Sequence, residues 1–193
     1  MRRSLAGIVL CVFVGALCLV PAAAGAYREP EGELALADEA LPTIYGTLNQ
    51  RLAARTGPAT DYAEPGTFLS KGGQVRIIAL TYDANEVPWV QVDLTAGRRH
   101  MRVYTGLKRF DGVDAGAIPR EFNYGDEATL KQDVTPRYGP GVNYTAYDFT
   151  LDKGSVVTVS DYENGYAICD FYGENEDVWN RVWIPSDMLT VKK

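Results

Sequence analysis

The sequence predicts an all-β protein built as two small barrels in tandem joined by a short linker, and three observations carry that expectation. The phrase RTGPATDY at Arg55–Tyr62 returns as RYGPGVNY at Arg137–Tyr144, with the Gly-Pro steps and the closing tyrosines each 82 residues apart. A turn phrase repeated at fixed spacing marks a duplicated unit. Strand-length β-branched runs, QVRIIALTY at Gln74–Tyr82 and SVVTVS at Ser155–Ser160, alternate with turn residues. Asn164-Gly165 between two such runs is the strongest short hairpin pattern. Beyond the N-terminal tether, no stretch carries a convincing 3.6-residue period.

The N-terminus is set aside first. Arg2 and Arg3 precede an apolar run from Leu5 to Val20, and Ala24-Gly25-Ala26 follows as a small-x-small site. That is the pattern of a secretory signal peptide over residues 1–26, cleaved after Ala26. The competing reading is an uncleaved membrane anchor, since the run approaches the roughly 20 residues that span a bilayer. Pro21 and the Ala/Gly cluster favour cleavage, and Leu17 before Cys18 counts against a lipoprotein. A secreted or envelope location is therefore expected.

Cleavage leaves Cys169 as the sole cysteine, so no intramolecular disulfide is expected. It also leaves 17 basic and 25 acidic residues, a net charge of −8. Such a chain repels phosphate backbones and anionic lipid, which disfavours nucleic acid, the membrane surface and a highly anionic wall polymer as partners.

Residues 27–44 are acidic and proline-flanked and read as a tether. The first unit occupies 45–110, a Gly-, Asp- and Pro-rich linker 111–127, and the second unit 128–193. Thr47–Gly72 aligns without a gap on Thr129–Gly154, matching Arg55 to Arg137, Gly57-Pro58 to Gly139-Pro140 and Tyr62 to Tyr144. Further on the offset drifts. Trp89-Val90-Gln91-Val92 then matches Tyr166-Ala167-Ile168-Cys169, and Arg102-Val103-Tyr104 matches Arg181-Val182-Trp183. Units of about 65 residues lie near the lower size limit for folding without disulfides.

The Leu-x-x-Arg/Val-x-x-x-x-Gly-Pro-x-x-x-Tyr opening resembles that of bacterial SH3 (SH3b) domains. So do the Leu-x-Lys-Gly-x-x-Val strand start, the Trp/Tyr-x-x-Val hairpin strand and the closing Val182-Trp183-Ile184 with Leu189. The resemblance covers most of 45–110 and 128–191 and implies SH3-like β-barrels. The first unit departs at its close, where Tyr104 replaces the Trp and Thr95–His100 (TAGRRH) is expected to lengthen a loop.

Little in the chain suggests catalysis. His100 is the only histidine, which excludes a zinc site with two or three His ligands. Cys169 stands where the first unit has Val92, so it reads as a small buried hydrophobe and His100 as a solvated loop residue. Glu174-Asn175-Glu176-Asp177 lacks the spacing of a defined calcium loop and reads as a solvated hairpin loop. Nothing fixes the separation of Asp161 and Glu163 as an acid/base pair. The Gly-Pro steps are turns. No catalytic residue, metal or cofactor is expected, and a small wall hydrolase is disfavoured for want of a nucleophile, metal ligands and room for a separate catalytic domain.

Aromatic residues carry the functional expectation. Tyr62, Trp89 and Tyr104 in the first unit, and Tyr144, Tyr166, Trp179 and Trp183 in the second, outline a ligand groove. Each ring taken singly is as simply a core residue. By resemblance, the ligand is cell-wall peptidoglycan, its stem peptide or cross-bridge, with the second unit the principal binder and linked sites gaining avidity. The alternative is an extracellular or envelope protein-interaction module that binds a peptide or partner protein and not the wall.

Overall fold

Twelve strands lie among the described residues. The computed structural model describes residues 44–122, 125–173 and 177–192. The signal-peptide and tether expectations, and most of the 174–177 loop, lie outside them. The strands are β1 (Ile44–Leu48), β2 (Leu52–Ala53), β3 (Phe68–Leu69), β4 (Gln74–Tyr82), β5 (Pro88–Ala96), β6 (Arg99–Gly106) and β7 (Phe110–Asp111). They continue as β8 (Asp126–Leu130), β9 (Val156–Glu163), β10 (Tyr166–Gly173), β11 (Val178–Pro185) and β12 (Leu189–Val191). Two five-stranded antiparallel sheets result, ordered β6-β5-β4-β1-β7 and β11-β10-β9-β8-β12, with β2 and β3 as a separate ribbon. The protein is all-β, and three short 3-10 turns are the helical segments among the described residues.

Register ties the two sheets to the sequence alignment. Val92 lies opposite Ile77 and Val103, while Cys169 lies opposite Val159 and Val182. Both ladders slip at the same step, one between Ile77 and Ala79, the other where Ile168 and Cys169 pair with Asp161 and Val159. A bulge there bends the strand and sharpens its twist. Leu52↔Leu69 in the ribbon has a counterpart in the Val134↔Leu151 bridge.

Two expectations are corrected. Neither sheet closes: β7 and β12 are two and three residues long, too short to carry a ladder round to β6 or β11. The TAGRRH segment does not lengthen a loop. It extends the β5–β6 hairpin through Thr95↔His100 and Ala96↔Arg99, with Gly97 at φ 64° in the tight turn that such a conformation requires. The linker is bonded to the first sheet. The amide of Leu80 donates to Pro119 O at 2.7 Å and the amide of Glu121 donates to Leu80 O at 2.9 Å, so residues 119–121 run beside β4 just past its bulge.

One cluster of buried side chains runs through both halves, from Leu48, Ile77, Val92 and Val103 to Val159, Cys169, Val182 and Ile184. A contiguous core makes the halves a single packed unit.

Candidate functional site

The repeated phrase acquires its meaning where the two halves meet. Arg102 on β6 and Arg181 on β11 occupy matched positions, and both are buried. Each bonds the carboxylate opposite it on its own sheet. Arg102 Nε reaches Asp93 at 3.1 Å, and Arg181 grips Asp170 with Nε and Nη2, both at 2.7 Å. Each also faces the repeated tyrosine of the other half. Tyr144 donates its hydroxyl to Asp93 at 3.0 Å beneath Arg102, and Arg181 lies 5.7 Å from the centre of the Tyr62 ring. Burial opposes the charge on each guanidinium, but the flanking carboxylates outweigh it and hold both arginines above their ordinary pKa.

Backbone contacts repeat the exchange. The amide of Thr145 donates to His100 O at 2.9 Å, and at the matched positions the amide of Ala63 donates to Trp179 O at 2.8 Å. His100 is therefore no solvated loop residue: its ring stacks on Tyr144 with centroids 4.1 Å apart. The halves are thus laced together by each other's Gly-Pro-x-x-x-Tyr loop.

The second carboxylate at each arginine differs. Arg102 takes Glu163, at the end of β9, at 2.6 Å. The residue matched to Glu163 is Thr81, which is too short to reach Arg181. Glu121 of the linker supplies that charge instead, bonded to Arg181 Nη1 and to the Tyr104 hydroxyl. Burial raises the Glu121 carboxyl above its usual range, with Arg181 acting against that rise.

Five of the seven predicted groove rings are spent on packing. Tyr166 and Trp183 form a small buried cluster with Ile168. Tyr104 is buried and accepts a bond from Gln91 Nε2 at 2.7 Å. Trp89 is buried, its indole N–H donating to Asp83 at 3.3 Å. Tyr144 is locked between the halves. A ring sealed on all sides has no face to offer a ligand, so these five do not line a groove. Tyr62 and Trp179 remain, and they come together beside Arg181 in a cleft of about 370 Å³.

Tyr82, at the end of β4, completes that cleft and is 43 % exposed, while Trp179 is 38 % exposed. Asp61 and Asp83 stand at its margin and the Arg181–Asp170 pair forms its floor. Backbone N–H bonds from Val87 and Asn85, with the Trp89 indole, hold the Asp83 carboxyl below its ordinary pKa, so it stays charged. The room exists because Thr81 and Thr158 stand where the other half has Glu163 and Arg76. Sequence reading missed Tyr82 and Asp83, although an aromatic closing a strand just before Asp-Ala-Asn is visible in the chain.

No protein-family model, curated protein or solved structure matches this chain.

A second cleft, of about 450 Å³, lies between the two Gly-Pro loops and draws on both. Thr56 and Tyr138, matched residues of the repeat, line it, as do the matched pair Ala63 and Thr145. Tyr138 and Tyr147 stack at 3.7 Å within its wall. Among the described residues no group of three or more His, Cys, Asp or Glu side chains is placed to hold a metal ion.

Proposed function

We propose that this is an exported, non-catalytic binding protein whose halves are two tandem SH3b-like units, and that it holds a peptidoglycan peptide, stem or cross-bridge, in the cleft of Tyr62, Tyr82 and Trp179. The observation that carries this reading is that cleft: two exposed rings and one half-buried ring over a neutralised Arg–Asp floor. Aromatic walls offer apolar area with polar tips, and the marginal carboxylates Asp61 and Asp83 suit a peptide that carries a free amino group. The non-catalytic assignment rests on engagement elsewhere of the two residues suited to nucleophilic chemistry. Cys169 is buried with its thiol pushed up, first by desolvation and then by Asp170, and His100 is stacked.

Co-sedimentation of the mature protein with purified sacculi tests the reading. The wild type enters the pellet, and Tyr82→Ala with Trp179→Ala moves it to the supernatant while leaving the melting temperature unchanged. Truncating a ring that anchors a ligand costs about 1–2 kcal/mol each, which is about 30-fold or more for the pair. Wild-type protein that stays in the supernatant, yet retains a peptide or protein partner in a pull-down, replaces the wall with that partner.

A further inference from the structure

The second cleft holds a polar group that the fold does not use. Asn180 on β11 lines it and is only 6 % exposed, and among the described residues its carboxamide has no hydrogen-bond partner. Thr56, at 3 % exposure, lines the same cleft, but its hydroxyl is sealed within the wall. The matched position in the first half is Met101, fully buried in the core. An apolar side chain therefore satisfies this place in the fold, and the second half has an amide there for another reason.

We infer that the cleft between the two Gly-Pro loops is a binding site for an extended peptide, whose backbone amide pairs with the Asn180 carboxamide. A carboxamide presents donor and acceptor together and so matches both the C=O and the N–H of a peptide unit. Ala63 and Ala146 in the lining let a backbone approach closely. The Tyr138 face that a sugar would need is taken: Tyr147 covers one side and Arg99 sits 5.3 Å from the ring centre. This site is separate from the Trp179 cleft and does not depend on the wall reading.

The test is titration of the full mature chain with N-acetyl-tetra-alanine amide, followed by ¹H–¹⁵N correlation spectra. The Asn180 side-chain amide pair, assigned by its loss in Asn180→Met, shifts saturably. Asn180→Met, which borrows the residue of the other half, binds at least ~10-fold more weakly yet melts at the same temperature or higher, because Met already fills the matched core position there. Tyr82→Ala, in the other cleft, leaves the titration unchanged. Three results each overturn the inference: no saturable shift, undiminished binding by Asn180→Met, or a shift produced by an N-acetylglucosamine trisaccharide and not by the peptide.

Discussion

Removing Arg181 should be the most damaging single change in the described fold. Its guanidinium donates to Asp170 twice, to Ser160 Oγ at 3.1 Å, and to Tyr104 and Glu121. Arg181→Ala would strand two carboxylates whose side chains are 10 % and 3 % exposed, with no cation between them. Breaking a buried pair by deleting one partner costs about 3–5 kcal/mol, a large part of the roughly 5–15 kcal/mol that holds a domain folded. Arg102→Ala should cost less, toward the low end of the range for a buried pair, because its partner Glu163 is 25 % exposed whereas Glu121 is 3 % exposed. Urea unfolding followed by tryptophan fluorescence measures both. Adding Asp170→Asn and Glu121→Gln to Arg181→Ala should recover part of the loss, since the penalty lies in stranded charge. An Arg181→Ala cost within about 1 kcal/mol of zero, below the range for a buried pair, would refute the argument. So would a ranking in which Arg102→Ala is the worse.

Gly57→Ala and Gly139→Ala should each lose about 1–3 kcal/mol by overpacking, because an added Cβ would sit 2.1 Å from Cδ1 of Tyr62 or Tyr144; thermal melts check this, and an unchanged melt would mean the ring can yield. Cys169, buried with a raised thiol pKa, should resist thiol reagents in the native state, and Cys169→Ser should cost about 1–3 kcal/mol for its buried hydroxyl. The raised Glu121 carboxyl gives a signed pH effect. Its contribution is complete below the unfolded value of about 4.3 and is lost as pH rises through the folded one, so Glu121→Gln should lose less stability than wild type on going from pH about 4 to neutral; a steeper loss in the variant would contradict the assignment.

The strands, the hairpin matches and the burial of Cys169 were legible because each rests on local pattern: alternation, turn chemistry and one residue standing in for another at a matched place. The destination of the repeated tyrosines was not. A ring that packs in its own half and a ring that crosses into the other leave the same trace in a sequence, and only the reciprocal contacts at Arg102 and Arg181 distinguish them. The glycines show the same limit. A turn before Pro accounts for Gly57 and Gly139 locally, whereas the stronger reason is the tyrosine ring five residues on, packed against the Cα. Arg102 and Arg181 were visible only as members of a closing-strand match, since an arginine in a strand reads as solvent-facing until its carboxylate is located. The cleft escaped for the opposite reason: it is made by small residues, Thr81 and Thr158, standing where the other half has Glu163 and Arg76, and an absence of bulk carries no motif.

Tyr104, which departs from the closing Trp of the second half, explains why the halves act together. Its hydroxyl needs polar company inside the protein, and it has three partners: Gln91, Arg181 and Glu121. Gln91 is matched to Ile168, which packs against Trp183. The ring and its neighbour therefore differ as a pair, Tyr with Gln in one half and Trp with Ile in the other. The polar version draws in Glu121 from the linker and Arg181 from the second half, and so fastens three segments at one point. A flexible pair of binding modules gains by effective concentration across its linker. That arithmetic does not apply here, because the linker is bonded along β4, the core is continuous, and each cleft takes walls from both halves. Any ligand seated in either cleft meets a surface that neither half possesses alone.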